Sequence, residues 1–111
     1  MSTESVETLK SADFDAAVGD ENPTLVVFTA PWCAVCRGID AEVRELATGN
    51  AWSLAVRRVV VDDAPDIAQR FEIRSVPTAL VFRAGDPVAR VLARATGELS
   101  AGLETALGAV N

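Results

Sequence analysis

The chain contains two cysteines, Cys33 and Cys36, in the stretch PWCAVC. Two thiols at this spacing can form and break a disulfide, supply half of a tetrahedral metal site, or hold a loop together. A disulfide that closes so short a loop adds little stability, which counts against a structural role. Structural zinc takes four Cys or His ligands, and the chain has no histidine. The redox interpretation is therefore favoured. A metal site completed by a second copy or by exogenous thiols, and an inert pair, stay open.

The cysteines are predicted to lie between a buried strand and an amphipathic helix. The run from Leu25 to Phe28 is short, apolar and rich in β-branched residues, as in a strand covered on both faces. From Val35 onward, apolar residues recur at helical spacing until Gly49-Asn50 ends the helix. Cys33 then lies at the helix N-terminus, where unpaired N–H groups and the helix dipole favour a thiolate, and Cys36 lies one turn further on.

The other predicted elements hold this turn in place. The first half of the chain reads as a strand–helix–strand unit, which is right-handed and parallel, and the second half as an antiparallel hairpin and a helix. A mixed central sheet with helices on both faces is the simplest assembly of these parts. The further elements are a strand near Val6 to Leu9, a helix capped by Ser11 and ending near Gly19, a strand over Leu54 to Val61, a helix from Pro65 that buries Ile67 and Phe71, strands over Thr78 to Phe82 and Val88 to Leu92, and a helix with Leu99, Leu103, Leu107 and Val110 on one face.

Composition restricts the function classes. The 111 residues suit one domain, and an apolar content of 50% is enough for a core. The net charge of −6, with scattered basic residues, argues against nucleic-acid binding. No apolar run approaches the roughly 20 residues of a membrane-spanning helix. The amino end has no signal-peptide pattern, so we expect a cytoplasmic protein without a membrane role.

Four motifs resemble those of the thioredoxin family. They are FTAPWCAVCR at the cysteine pair, VVVDDAP at a strand-to-helix turn, IRSVPT, and the hairpin VFRAGD. The resemblance runs from about Phe14 to the C-terminus and implies a single α/β domain over residues 1–111, with a five-stranded mixed sheet and four helices. It also implies a protein dithiol–disulfide oxidoreductase in which Cys33 attacks a substrate disulfide and Cys36 resolves the mixed disulfide. Neither a cofactor nor a metal is expected.

The resemblance also implies a docking surface for substrates. Pro77 is expected to be a cis-proline facing the cysteines, and Val76 to offer its backbone to an extended substrate peptide. Trp32 directly precedes the first cysteine, and we expect it to shield the thiol and to belong to this surface, with core packing as the alternative. Asp62 and Asp63 are expected to be turn and cap residues, not metal ligands.

Several residues near the cysteines differ from the usual thioredoxin pattern. Ala34-Val35 stands where Gly-Pro is usual, and Val27 stands where an Asp is usually buried beneath the pair. Arg58 aligns with the Lys that commonly neighbours this Asp, so we expect it to lack a partner and to face solvent. Loss of the Asp also removes the expected base for Cys36, so release of the mixed disulfide is expected to be slow.

These differences predict a more oxidising pair. The N–H groups of Val35 and Cys36 can both donate to the Cys33 sulfur, whereas a proline at position 35 would have none to offer. Val27 removes a negative charge, and Arg37 adds a positive one nearby. All three effects lower the pKa of Cys33, which stabilises the reduced form and raises the reduction potential.

Two functions from different classes stay open. The first is an enzyme that reduces or exchanges disulfides in partner proteins, working as a monomer with a thioredoxin reductase or a similar electron donor. The second is a thioredoxin-fold binding module that docks partners over Trp32 and Pro77, with weak or no redox turnover. The presence of both cysteines at the catalytic spacing favours the enzyme.

Overall fold

The computed structural model describes residues 6–49 and 51–108, and its strands and helices largely alternate along the chain. Short 3₁₀ helices lie at Ser11–Asp13 and Ala51–Ser53. The other elements are β1 (Glu7–Thr8), α1 (Phe14–Val18), β2 (Thr24–Thr29), α2 (Ala34–Gly49), β3 (Ala55–Val60), α3 (Pro65–Arg70), β4 (Thr78–Arg83), β5 (Asp86–Leu92) and α4 (Glu98–Leu107).

The strands form one five-stranded sheet in the order β1-β3-β2-β4-β5. Strands β2 and β3 are parallel and are connected through α2, while β4 runs antiparallel to both β2 and β5. The predicted mixed sheet with four helices is therefore confirmed. In the β4–β5 turn, Ala84 and Gly85 have φ of 53° and 86°, the positive values that a two-residue hairpin turn requires.

Strand β2 lies at the centre of the sheet and is covered on both faces. Leu25 and Val27 face an apolar cluster to which α2 and α4 contribute, and Val26 and Phe28 face a second cluster with α1 and α3. This two-sided burial explains why the strand reads as a continuous apolar run and not as an alternating one. It also anchors the segment that leads into the cysteines.

Two capping predictions are wrong. Ser11 lies inside a 3₁₀ helix, and its hydroxyl donates to Asp66 Oδ1 at 2.6 Å instead of capping a helix. Helix α3 has Ala64 as its N-cap residue and no side-chain cap, so Asp62 and Asp63 are turn residues only.

The other predicted elements agree closely with the observed ones. Phe71, predicted to be buried by the helix from Pro65, directly follows α3 and is half-buried. The predicted helix positions Asn50 and Val110 lie outside the described residues.

Candidate active site

The turn between β2 and α2 presents Cys33 as the N-cap residue of α2. The Cys33 N–H donates to the Ala30 carbonyl at 3.1 Å, and the Cys33 carbonyl accepts the first helical hydrogen bond from the Arg37 N–H at 3.3 Å. The Cys36 N–H donates to Cys33 Sγ at 3.1 Å. The first helical turn therefore directs a backbone donor at this sulfur, an arrangement that favours a thiolate.

Only one of the two backbone donors predicted for Cys33 is observed. Within residues 6–49 and 51–108, the Cys36 N–H bonds to the sulfur and the Val35 N–H does not. The helix cap at this sulfur therefore depends on Cys36 in the oxidised protein.

Cys33 and Cys36 form a disulfide, with their Cα atoms 5.3 Å apart. Whole-residue exposures are 7% for Cys33 and 6% for Cys36, and both pack in a small apolar cluster with Ala30, Val61 and Val76. These nearly equal exposures do not distinguish an attacking thiol from a resolving one. The order of attack stays a prediction.

The segment before β4 faces the disulfide. The Val76–Pro77 bond is cis, as expected, and Pro77 is buried while Val76 is half-buried. The Val76 carbonyl oxygen lies 3.6 Å from Cys33 Sγ. A stretch of backbone thus runs directly beside the sulfur atom.

Trp32 lies on the surface next to the disulfide and is 66% exposed, so the alternative of core packing is wrong. Its indole Nε1–H donates to both carboxylate oxygens of Asp62, each at 3.1 Å. The sequence predicts Asp62 as a turn and cap residue, and nothing in the local sequence pairs it with this tryptophan.

The residues expected to tune the pair have different surroundings. Val27 is buried in β2 and packs in the apolar cluster with α2 and α4, whereas Ala34 and Val35 are exposed in the first turn of α2. The Arg37 guanidinium donates to the Pro31 carbonyl at 2.7 Å, which holds a positive charge near the turn before Cys33.

The prediction that Arg58 lacks a partner and faces solvent is wrong. Its Nη2 lies 2.7 Å from Asp40 Oδ1, and the side chains are 23% exposed for Arg58 and 32% for Asp40. Val27 is directly opposite Arg58 in the β2–β3 register. Arg58 therefore pairs with Asp40 on α2, since its neighbour on β2, Val27, has no carboxylate.

A cleft of about 540 Å³ opens beside Cys36. Its charged lining residues are Arg37, Asp40, Arg58 and Asp63. No sequence motif indicates a role for Asp40, although its position four residues after Cys36 places both on neighbouring turns of one helix face. The cleft therefore places charged side chains near the cysteine pair, although Val27 replaces the Asp that is usual in the family.

The described part of the chain contains neither a metal-binding cluster nor a membrane-spanning helix. In residues 6–49 and 51–108, no three Cys, Asp or Glu side chains are grouped so that they could hold a metal ion. In the same ranges, no helix is long and apolar enough to cross a membrane.

Comparison with known proteins identifies the family. The thioredoxin family profile matches residues 5–105 of this chain. The chain belongs to the thioredoxin family. It is 40% identical over 89 residues to a thioredoxin of Pyropia yezoensis, an alignment covering 79% of this chain and 83% of the relative. It is 34% identical over 93 residues to a thioredoxin of Mycobacterium tuberculosis, covering 81% of this chain and 80% of the relative.

A solved thioredoxin structure has the same fold. The crystal structure of the Malassezia sympodialis thioredoxin superposes with a TM-score of 0.82 at 26% identity, covering 91% of this chain and 92% of that one. Its membership of the thioredoxin family and the Cys33–Cys36 disulfide show that the protein is a thiol–disulfide oxidoreductase of the protein-disulfide reductase type. The thioredoxin family implies disulfide-containing substrates and a reductase partner in general. The binding-module alternative is not favoured.

Proposed function

We propose that Cys33 is the attacking thiol of this thioredoxin and Cys36 the resolving one, within a single domain over residues 1–111. The observation that carries the proposal is the 3.1 Å hydrogen bond from the Cys36 N–H to Cys33 Sγ at the start of α2. A sulfur in this position is stabilised as a thiolate, which is the nucleophile in disulfide exchange.

The reaction proceeds by two exchanges. The Cys33 thiolate attacks one sulfur of a substrate disulfide, forming a mixed disulfide and releasing the other substrate sulfur as a thiolate. Cys36, after losing its proton, attacks Cys33 Sγ and releases the second substrate thiolate. The substrate gains two electrons and the Cys33–Cys36 dithiol loses two, ending as the observed disulfide.

Substrate docking is assigned to Trp32, Val76 and Pro77. The Val76 carbonyl lies 3.6 Å from Cys33 Sγ, so an extended peptide that pairs with this backbone would bring its own disulfide to the sulfur. The exposed ring of Trp32 offers apolar area beside the same position. Pro77 is buried and directly follows Val76 in the same segment.

The potential of the pair is assigned to Val27, Ala34, Val35 and Arg37. Val27 is uncharged, the Ala34-Val35 turn contains no proline, and Arg37 holds a positive charge at the preceding loop. We expect a potential above the value of about −270 mV that is typical of thioredoxin. Equilibration with glutathione measures it, and a value at or below about −270 mV contradicts this assignment.

The proposal also covers the electron donor, the compartment and the oligomeric state of the protein. Each turnover ends in the disulfide, so two electrons must be supplied before the next one. We assign this supply to a thioredoxin reductase or a similar donor in the cytoplasm, where disulfides are kept reduced, and we assign the protein a monomeric state. Light scattering of the purified protein tests the monomer, and NADPH oxidation coupled to a thioredoxin reductase tests the donor.

Trapping of mixed disulfides tests the roles of the two cysteines. Cys36→Ser should accumulate stable mixed disulfides with protein substrates because the resolving thiol is missing. Cys33→Ser should accumulate few, and the double variant serves as the background. Equal trapping by both single variants, or more trapping by Cys33→Ser, contradicts the proposed order.

A further inference from the structure

We propose that Asp40 accepts the proton of Cys36 when Cys36 resolves the mixed disulfide. This inference rests on the proposed roles of Cys33 and Cys36. An ordinary thiol has a pKa of about 8.5, so a resolving cysteine is mostly protonated at neutral pH and needs a proton acceptor. Val27, expected from the family pattern to lie beneath the pair, is a buried aliphatic residue and has no group that could serve.

Asp40 is placed to receive this proton through the cleft beside Cys36. Both residues are on α2, separated by one turn, and both line the cleft. Since a water molecule occupies about 30 Å³ in the liquid, the cleft has room for waters that connect the thiol to the carboxylate. Asp40 therefore acts through water and not by contact with the sulfur.

Two arginines fix the position of the Asp40 carboxylate. Arg58 reaches across from β3 and donates to Oδ1 at 2.7 Å. Arg44, one turn further along α2, pairs with Oδ2. The carboxylate is thus held at the edge of the cleft from two sides. Because both arginines compete for its oxygens, we expect a rate contribution of about tenfold, below the roughly 10²–10⁴ of a directly bonded general base.

The other carboxylates of α2 and of the turn after β3 are less well placed. Asp62 accepts the indole N–H of Trp32, and Glu42 accepts hydrogen bonds from the start of α4. Asp63 lines the same cleft but is exposed on the turn after β3, outside the helix that carries Cys36. Arg37 and Arg58 also line the cleft, and Asp63 is the matched control.

The Cys36 S–H proton passes through water to the Asp40 carboxylate, which becomes a carboxylic acid. The Cys36 thiolate attacks Cys33 Sγ, forming the Cys33–Cys36 bond and breaking the bond between Cys33 and the substrate sulfur. That sulfur leaves as a thiolate with the bonding electron pair. Asp40 then returns its proton to water at the mouth of the cleft.

The test uses the reduced full-length protein and one equivalent of dithionitrobenzoate in a stopped-flow instrument. Attack by Cys33 releases the first thionitrobenzoate, and resolution by Cys36 releases the second, so the two steps are recorded separately. Asp40→Asn should slow the second phase about tenfold near neutral pH and leave the first phase unchanged. The difference should narrow as the pH rises, because a larger fraction of the Cys36 thiol then ionises without a base. Asp40→Glu should recover most of the rate.

The controls separate the possible failures. Asp63→Asn should behave as wild type in both phases, and thermal unfolding confirms that each variant is folded. Asp40→Ser is measured in parallel as a second way to remove the carboxylate. A wild-type second phase in the Asn and Ser variants overturns the proposal. Equal slowing at every pH, or a pH-dependent slowing in Asp63→Asn, overturns it as well. Loss of the first phase in Cys36→Ser would instead contradict the proposed roles of the cysteines.

Discussion

The indole N–H of Trp32 is held by both carboxylate oxygens of Asp62, each at 3.1 Å. The bond joins the loop before α2 to the turn after β3, two segments that are 30 residues apart in sequence. It orients an exposed aromatic ring beside the disulfide without burying it. The ring is therefore available to a partner in a defined direction.

Asp62→Ala should weaken the binding of protein substrates. Without the carboxylate the Trp32 ring rotates freely, and its ordering must then accompany docking. We expect the KM for a protein disulfide to rise about three- to fivefold. This rise corresponds to only part of the roughly 1.5–3 kcal/mol that a hydrogen bond to a charged group contributes, because the site is exposed. The value of kcat and the reaction with dithionitrobenzoate should not change. The adjacent Asp63→Ala is the control, and an equal rise in KM there would contradict the role of the Trp32–Asp62 bond.

Glu42→Gln should destabilise the fold without altering the disulfide chemistry. Glu42 is 6% exposed and accepts from the Gly97 N–H at 2.9 Å, the Ser100 N–H at 3.0 Å and the Ser100 hydroxyl at 2.6 Å. It thereby caps α4 from α2, in place of the side chain that Gly97 lacks. We expect the free energy of unfolding to fall by about 2–3 kcal/mol in chemical denaturation. Glu45→Gln, exposed on the same helix, should change it by less than about 0.5 kcal/mol. Equal stability of the two variants would show that the cap is not needed.

Gly102→Ala and Gly38→Ala should have opposite effects on stability. A Cβ at Gly102 would lie 2.4 Å from Val91 Cγ1, which is buried where α4 packs on β5, while a Cβ at Gly38 would meet nothing within 4 Å. Overpacking costs about 1–3 kcal/mol, which exceeds the gain of roughly 0.8–1.0 kcal/mol in helix propensity. We expect Gly102→Ala to lower the unfolding midpoint and Gly38→Ala to raise it. A stabilised Gly102→Ala would mean that Val91 moves aside at little cost.

Ser11→Ala should change the titration of Asp66. The hydrogen bond from the Ser11 hydroxyl lowers the pKa of the Asp66 carboxyl in the folded protein. A lowered folded-state pKa contributes stability that is present above the ordinary carboxyl pKa of about 3.9 and is lost as pH falls through the lowered value. Ser11→Ala should raise the pKa of Asp66 toward its ordinary value, as followed by carboxyl NMR. The stability difference from wild type should narrow as the pH is lowered through this range. An unchanged pKa of Asp66 in Ser11→Ala would contradict the role of the Ser11 hydroxyl.

The sequence by itself determined strand β2, the cysteine pair that follows it and helix α2. These features depend on local rules: a continuous apolar run for Leu25 to Phe28, helical spacing after Cys33, and turn residues at Ala84 and Gly85. Each can be recognised from a few neighbouring residues, and each was found where it was expected. The mixed sheet then followed, because handedness and connection length leave few arrangements of such elements.

Only the tertiary structure decided which polar side chains meet. The partners are 18 residues apart for Arg58 and Asp40, 30 for Trp32 and Asp62, and 58 for Ser100 and Glu42. Such pairs depend on the relative placement of whole helices and strands, and one carboxylate on a helix looks like any other in the sequence. The same reason explains the failed expectation for Arg58. The family pattern places its partner at position 27 on the neighbouring strand, whereas packing of α2 on the sheet supplies Asp40 from the helix.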